Sequence, residues 1–410
     1  MTELPHETAY AQLGDVADFY AGSSLPEGED WAGQQGGYLL ARVSDMNLAG
    51  NEQELLATQR WSAKPGQASA TCPGGAVILP KRGGAIATNK KRVVKRPTVL
   101  DPNLMAVRPR YGLIDVNYLY QWFLSFDLEQ VVSGSSVPQL NKKDLIPLVL
   151  PLPSLGEQER IAAALDQVDA LRAKRREAIA LLDDLAQSLF AQDFCTDHLG
   201  YGGWPAGNFG DYVDEFSYGT SQKSTNEGLV VLRIPNVVNG VLDLENLKTV
   251  SLSEAEARRL RLDEGDLLFV RSNGNPNYVG RCAVFQGDHF AARFEQRHVV
   301  FASYLIRARL PKSVLRPEFV HAYMCSDAGR AALRKLCKTS AGQYNLNIKG
   351  LSSVRLPIPP IELQERFVAK MAALKERRQQ HVAHLAALDE LFTSLQQRAF
   401  NGTLWQDQAA

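Results

Sequence analysis

Two related stretches decide the fold of this chain: LPLPSLGEQER at residues 150–160 and LPIPPIELQER at residues 356–366. Residues 145–194 as a whole resemble residues 351–400. The two segments align at a constant offset of 206 residues, which is the separation of Leu150 and Leu356. A repeat of this length indicates a duplicated structural unit. The chain is therefore predicted to contain two units of the same organisation.

Each quoted stretch leads into a long helix. Alternating prolines remove backbone donors and favour extended geometry, so the proline strip itself is not helical. After it, neither copy contains Gly or Pro from Glu157 or Ile361 onward, and apolar residues recur at heptad spacing. We expect helices over about residues 157–195 and 361–400; about 35 residues of helix already span about 50 Å. The heptad positions are Ile161, Leu165, Val168, Arg172, Arg175, Ile179, Leu182, Ala186 and Leu189, and Phe367, Met371, Leu374, His381, Leu385, Leu388, Phe392 and Leu395.

The heptad positions form an apolar stripe along each helix, which we call the seam. A stripe of that length must pack against another helix, and the other copy in the same chain is the nearest one. Two equivalent units most naturally pair about a pseudo-two-fold axis, which sets the helices antiparallel as a coiled coil. Arg175 and His381 interrupt the two seams at equivalent positions. These polar breaks either set the register or remain solvated, or they contact another subunit.

The remaining sequence predicts two mixed, mostly β modules. Short β-type runs such as residues 76–79, 267–270 and 299–301 are separated by Gly, Asn and Pro turns, with helices near 116–126 and 317–336. The predicted fold class is α+β, with each module followed by one of the long helices. The predicted boundaries are a first module at 1–150, a strip and helix at 151–196, a second module at 197–355, and a second strip and helix at 356–410.

Composition excludes several classes of protein. Five scattered cysteines without a C-x-x-C pair argue against disulfides and structural zinc. The formal net charge is zero, so any attraction to nucleic acid must come from local patches. No run of residues is long and apolar enough for a signal peptide or a membrane span, which predicts a cytoplasmic protein without a membrane partner.

Basic residues concentrate in one part of the first module, between Lys81 and Arg110, where Asp101 is the single acid. Gly83 and Gly84 allow the backbone to approach phosphates closely. We predict DNA contact for this strip; the alternative is a solvated hairpin face. The candidate contact residues are Lys81, Arg82, Thr88, Asn89, Lys90, Lys91, Arg92 and Arg108.

The second module carries polar loops and arginines rather than a basic strip. Arginine suits bidentate contact with guanine and phosphate, and Asn and Gln suit adenine. The alternative is that these residues only form turns. The candidate contact residues are Arg271, Ser272, Asn273, Asn275, Arg281, Arg297, Lys338, Gln343, Tyr344 and Asn345.

Motifs for catalysis are absent or incomplete. The segment Asn275-Pro276-Asn277-Tyr278 is similar to the N-P-P-[YF] motif of amino methyltransferases but departs at its third position, and no glycine-rich loop is present to hold S-adenosylmethionine. No lysine follows a glycine, so the phosphate-binding Walker loop is missing, and the seven histidines form no H-E-x-x-H motif. We predict no catalytic residue, no metal site and no cofactor in this chain. A stand-alone adenine methyltransferase using residues 275–278 and a scaffold that does not bind DNA remain as alternatives.

The chain resembles the specificity subunits of type I restriction-modification systems over essentially its whole length. The resemblance rests on the duplicated strips with their helices and on four further segments. These are GGAVILPKRGGAIATNK at 74–90, GDLLFVRSNGNPNYVGR at 265–281, FASYLIRARL at 301–310 and SAGQYNLNIKGLSSVRLPIP at 340–359.

The resemblance implies a division of labour. Each module would be a target-recognition domain that reads one half of an asymmetric, bipartite site in double-stranded DNA. The long helices would set the gap and dock two methyltransferase subunits, which bind S-adenosylmethionine and methylate adenine. A restriction subunit, where one joins, would use ATP and Mg²⁺ for translocation and cleavage. The residues assigned to spacing and docking are Gln158, Arg160, Ile161, Leu165, Leu182, Leu189, Gln364, Arg366, Phe367, Leu374, Leu388 and Leu395.

Overall fold

The computed structural model describes residues 9–132, 138–194, 203–238, 240–287, 290, 298–311, 313–340 and 342–404. The chain divides into two compact units, and each long helix contributes to both of them. Unit 1 comprises Met1–Arg176 and Ala383–Ala410, and unit 2 comprises Glu177–Val382. The first long helix spans Leu155–Phe194 and the second spans Ile361–Phe400.

Unit 1 contains two main sheets. One has four antiparallel strands in the order Ala17–Ala21, Leu104–Pro109, Ala76–Pro80 and Arg92–Val94. The other has five, in the order Glu29–Asp30, Arg60–Ser62, Tyr38–Ala41, Thr98–Leu100 and Thr71–Cys72, with the third and fourth parallel. Its helices are Leu13–Val16, Gly84–Ala87, Val116–Leu124 and Lys142–Leu145, with 3-10 turns at Val43–Asn47 and Leu128–Gln130.

Unit 2 repeats both arrangements. Its four-stranded antiparallel sheet has the order Glu215–Tyr218, Leu305–Arg309, Leu267–Val270 and Cys282–Val284. Its three-stranded sheet has the order Lys248–Val250, Leu229–Leu232 and Val299–Phe301, and the last two strands are parallel. The other strands are Val237–Val238, Val241–Leu242, Ser272–Asn273, Lys338–Ser340 and Gln343–Asn345. The helices are Glu254–Leu260, Pro317–Cys325, Asp327–Leu336 and Ile348–Ser352. Two 3-10 turns lie at Phe209–Tyr212 and Ile234–Asn236.

The proline strips are short strands. Val149–Leu152 pairs antiparallel with Ala9–Gln12, and Arg355–Pro357 pairs antiparallel with Ala206–Asn208. Each strip therefore closes its own module by pairing with the strand that begins it. The extended, non-helical geometry predicted from the prolines is confirmed.

A buried glutamine at the start of each long helix ties the helix to its module. Gln158 is fully buried; its side-chain amide donates to the carbonyls of Pro153 (2.9 Å) and Leu113 (3.2 Å) and accepts from the Asp115 backbone N–H (2.8 Å). Gln364 makes the same three bonds in unit 2, to Pro359 (2.8 Å), Val314 (2.9 Å) and Arg316 (2.9 Å). Both units therefore use one buried side chain to satisfy three backbone groups of the strip and of a neighbouring turn.

The long helices pack on each other within each unit. In unit 1, Ile161, Leu165 and Val168 share a core cluster with Phe392. In unit 2, Arg378 pairs with Asp183 (2.7 Å) and Lys370 with Asp193 (3.3 Å), so the numbering of one helix falls as the other rises. The predicted antiparallel pairing is confirmed.

An ion pair across the seam recurs through the repeat. In unit 1, Arg172 pairs with Asp389 at 2.6 Å, and its guanidinium lies 4.5 Å from the centre of the Phe392 ring. Arg378 and Asp183 of unit 2 stand one repeat length of 206 residues from Arg172 and Asp389, respectively. Every seam position predicted from the heptads is buried or half-buried. The pattern therefore predicted the inward faces of both helices correctly.

We predict that Gln364→Leu lowers the free energy of unfolding by about 2–4 kcal/mol, because the buried Pro359 carbonyl and the partly buried Arg316 N–H and Val314 carbonyl would lose their hydrogen-bond partner. Urea denaturation measures this change. Gln380→Leu, at an exposed position of the same helix, is the matched control and should change stability by less than about 0.5 kcal/mol. Equal effects of the two substitutions would contradict the structural role of Gln364.

Candidate DNA interface

The candidate segments of the second module meet in one small sheet. Strand Ser272–Asn273 pairs with Gln343–Asn345, which pairs in turn with Lys338–Ser340. Gln343 and Lys338 are exposed, whereas Tyr344 and Asn345 are half-buried. Segments that are far apart in sequence thus form a single polar surface, which we call the ribbon face (residues 272–273, 338–340 and 343–345).

A polar loop at residues 273–281 continues the ribbon face. The Asn273 side-chain oxygen accepts from the Asn275 backbone N–H (2.9 Å), and that of Asn275 accepts from the Asn277 N–H (3.0 Å). Because the oxygens serve the turns, the amide NH₂ groups are the ends left to donate outward. Residues 276–280 form a turn, and the asparagine side chains hold the backbone of the loop, as the alternative interpretation of this segment requires.

Arginine side chains contact this loop and the residues next to it. Arg330 of helix Asp327–Leu336 donates to the carbonyls of Asn277 and Val279, both at 2.9 Å. The Arg281 guanidinium lies 3.9 Å from the centre of the exposed Tyr278 ring. Arg271 lies 4.6 Å from the centre of the Tyr218 ring and donates to the Ser303 carbonyl (3.3 Å). Arg271 and Arg330 therefore donate to backbone carbonyls of the second module. These hydrogen bonds restrict the two guanidinium groups and make them less available to a ligand.

In unit 1 the candidate strip separates into an accessible part and a buried part. Arg82 and Thr88 are exposed, and Lys81, Lys90 and Arg108 are half-buried. Gly83 has a φ of 63°, a left-handed conformation that suits glycine, and starts the one-turn helix Gly84–Ala87.

Lys91 lies inside unit 1, which contradicts its assignment to a DNA-facing strip. Its side chain is 1% exposed, and its Nζ donates to the Asn89 side-chain oxygen (2.6 Å) and the Phe126 carbonyl (3.0 Å). Asn89 also accepts from the Leu128 N–H (3.0 Å), and Arg92 donates to the carbonyls of Lys91 (2.6 Å) and Met46 (2.9 Å). Lys91, Asn89 and Arg92 therefore bind neighbouring segments of the module together.

Burial also shifts the titration of the two basic groups in this cluster. Desolvation lowers the pKa of Lys91 to about 8, against a smaller opposing effect of Asp127. Desolvation likewise lowers the pKa of Arg92. Sequence reasoning could not separate these residues from their exposed neighbours, because alternation along a short irregular segment does not reveal burial.

The residues assigned to spacing and docking occupy three kinds of place. Ile161, Leu165 and Phe367 are buried in the helix seam, and Leu182, Leu189, Leu374, Leu388 and Leu395 are half-buried along it. Gln158 and Gln364 lie inside the modules, so their amides are not available to a partner. Arg160 and Arg366 are exposed at equivalent positions of the repeat.

Arg297, a predicted DNA contact of the second module, lies outside the described residues.

A cluster that the sequence pattern did not reveal lies beside the polar loop. Cys282, at the end of the loop, faces His321 and Cys325 of helix Pro317–Cys325, and the ligating atoms of the three side chains all lie within 4.8 Å of one another. His321 and Cys325 are four residues apart, a spacing that places both on one face of a helix. That spacing was the available signal, but the third member comes from a strand distant in sequence.

The fold and these surfaces define a duplicated protein in which two β-rich modules are joined to a pair of antiparallel long helices. Residues 5–181 match the model of the type I restriction modification DNA specificity domain. Over these residues the chain is similar to type I restriction-modification specificity proteins.

Two curated relatives illustrate the likeness. The chain is 27% identical over 298 residues to the type I restriction enzyme EcoKI specificity subunit of Escherichia coli K12, covering 68% of this chain and 62% of that protein. It is 24% identical over 320 residues to the StySPI specificity subunit of Salmonella potsdam, covering 73% and 67%, respectively. The chain thus spans about 62% of the length of the first of these relatives.

Solved structures share the fold. The S subunit of the type I restriction-modification system of M. genitalium matches with a TM-score of 0.58 at 13% identity, over 97% of this chain and 98% of that one. A chain from a structural study of complex assembly and conformational transition of the type I system matches with a TM-score of 0.57 at 18% identity, over 98% and 100%. None of the described helices is long and apolar enough to cross a membrane.

We predict that the stability of the wild-type protein rises by about 2 kcal/mol between pH 8 and pH 10 relative to Lys91→Met. The folded-state pKa of Lys91, about 8, lies below its ordinary value of 10.5. Between these values the unfolded chain binds more protons than the folded one, so raising the pH favours folding. Urea denaturation at a series of pH values measures the difference. Parallel pH profiles for the two proteins would contradict the burial of a titrating Lys91.

Proposed function

We propose that this chain is the DNA specificity subunit of a type I restriction-modification complex and has no catalytic site of its own. The observation that carries the proposal is the duplicated module and helix, together with the match of residues 5–181 to the DNA specificity domain. Residues 1–150 and 197–355 act as the two target-recognition domains. Strips and helices at 151–196 and 356–410 act as the spacer.

In this proposal the ribbon face reads bases in one half of a double-stranded DNA target. The exposed Gln343 amide offers both a donor and an acceptor that can pair with adenine in the major groove, and the Asn273 NH₂ group offers a further donor. Lys338 supplies charge for a nearby phosphate. In the first module, Arg82 and Lys81 contact the phosphate backbone, and Gly83 and Gly84 leave room for it to approach.

Partner subunits supply the chemistry. Two methyltransferase subunits dock on the long helices, bind S-adenosylmethionine and methylate adenine, and a restriction subunit with ATP and Mg²⁺ completes the cleaving complex. Exposed Arg160 and Arg366, equivalent in the repeat, are matched candidates for contacting two copies of one partner. The assembly works in the cytoplasm, where the chromosome is its substrate.

A module exchange tests this function. Replacing residues 1–150 with the corresponding module of a relative should change one half of the methylated motif in the host genome and leave the other half intact. Methylated adenines are mapped with the native gene, the exchanged gene and no gene. A motif that changes in both halves, or in neither, would rule out independent readers. Purified chain that alone binds S-adenosylmethionine in calorimetry would instead favour a stand-alone methyltransferase.

Two substitutions separate phosphate contact from base reading. Arg82→Ala should weaken DNA binding by the assembled methyltransferase on all sequences and reduce the slope of log K against log salt by about one. Gln343→Ala should cost about 1–3 kcal/mol on the cognate site only and relax one half of the motif. Binding is measured on cognate and scrambled duplexes across a salt series. Arg258→Ala, an exposed arginine paired with Glu254, is the control, and the assignments fail if it matches either variant.

A further inference from the structure

Three side chains that bind soft metals converge in unit 2, although no part of the proposed DNA-reading function requires them. Cys282 begins strand Cys282–Val284 and is buried, whereas Cys325 ends helix Pro317–Cys325 and is exposed. Cys325 Sγ lies 3.5 Å from His321 Nε2, and Cys282 Sγ completes a group whose atoms are all within 4.8 Å of one another. We propose that Cys282, His321 and Cys325 form a three-ligand site for Zn²⁺.

The separations suit a tetrahedral ion. Bonds of about 2.3 Å to sulfur and about 2.0–2.1 Å to nitrogen at the tetrahedral angle place the two ligand atoms roughly 3.6 Å apart. The Sγ–Nε2 distance of 3.5 Å is therefore the distance that a shared zinc ion would require. Two thiolates and an imidazole are a donor set that selects zinc over magnesium or calcium.

A glycine leaves space beside the ligands. Gly240 has a φ of 81° and passes so close that a Cβ there would lie 2.8 Å from His321 Nε2 and 3.9 Å from Cys325 Sγ. A side chain at this position would occupy the space beside both ligands. The glycine therefore leaves one side of the cluster open, and the exposed Cys325 provides a route for entry of the ion.

Coordination of zinc would set the protonation of the ligands. On binding, Cys282 and Cys325 both coordinate as thiolates and their thiol protons pass to solvent, while His321 coordinates as the neutral imidazole. With three protein ligands, the fourth position remains for water.

Bound zinc would stabilise the base of the polar loop. Cys282 directly follows the loop at residues 273–281, and the helix that carries His321 and Cys325 precedes the helix of Arg330, which holds the Asn277 and Val279 carbonyls. The ion would join the strand at the end of the loop to the helix behind it. This site is a property of the chain itself and stands whether or not the proposed DNA function is correct.

Cobalt and zinc titrations of the full chain test the proposal. Protein without a histidine tag is stripped with a chelator, kept reduced, and titrated with Co²⁺ while thiolate-to-cobalt charge-transfer absorption is followed. We expect one equivalent to bind, to be displaced by Zn²⁺, and to raise the thermal transition temperature by about 5 °C when zinc is in 100-fold excess over its Kd. Absence of the charge-transfer band in the wild-type protein would overturn the site.

Matched cysteine variants locate the ligands. Cys325→Ser should weaken cobalt binding at least 100-fold and abolish the thermal shift, and His321→Ala should weaken it at least 10-fold. Cys337→Ser, a half-buried thiol of the same unit, should bind as the wild type does. Circular dichroism and the transition temperature of each metal-free variant show that it has folded. Unchanged binding by Cys325→Ser, or a Cys282–Cys325 disulfide found by mass spectrometry in reducing buffer, would contradict the zinc site.

Discussion

The buried amide at the start of each long helix is the interaction on which the architecture depends. Gln158 and Gln364 each hold a carbonyl of the proline strip, a carbonyl of the module and a backbone N–H two residues further along the module. An unsatisfied buried backbone group costs about 1–3 kcal/mol, so the three bonds define the direction in which the helix leaves. The strip strand then pairs with the first strand of the same module, and both ends of the module are closed at one place.

Charge in this chain serves folding more than its distribution in the sequence suggests. Arg307 is 1% exposed and donates to the carboxylate of Glu215 (2.6 Å) and the carbonyl of Arg261 (2.8 Å). Arg309 makes a two-bond contact with Asp266 (2.7 and 2.9 Å), which raises the pKa of the guanidinium. Together with Lys91 and Arg92, these groups show that some basic residues of both modules form hydrogen bonds and ion pairs within the fold. In the proposed function, DNA recognition therefore depends on individual exposed amides and cations rather than on a general positive field.

The sequence predicted the elements best where a periodic pattern continues for many residues. Long helices expected at 157–195 and 361–400 span Leu155–Phe194 and Ile361–Phe400, and the strand expected at 299–301 is Val299–Phe301. The helix expected at 317–336 is instead two helices, because Ser326 adopts an extended conformation and caps the second one through the Gly329 N–H. A serine that caps by its side chain offers the backbone an alternative to helix continuation.

The site was less predictable, because its members come together only through tertiary pairing. Ser272 and Asn345 are opposed across a strand pair, and Cys282 meets Cys325, yet no local spacing connects either pair. Burial of Lys91 within a run of exposed and half-buried cations has the same origin, since the carbonyl that accepts from it belongs to Phe126, 35 residues further along the chain.

Shared topology without visible sequence similarity separates what the modules must keep from what they are free to change. The four-stranded sheets of both units have one strand order, and each unit carries a parallel strand pair in its second sheet. The apolar strands that form these sheets, such as Ala76–Pro80 and Leu267–Val270, are fully buried, so they constrain volume and pattern but not individual residue identity. Polar segments at the module surface are under no such packing constraint. Replacing the exposed Gln343 changes the groups presented by the ribbon face while the buried amide of Gln364 still holds the helix. Because the residues that hold the fold are buried and the polar residues of the ribbon face lie at the surface, the surface can vary while the helix seam stays the same.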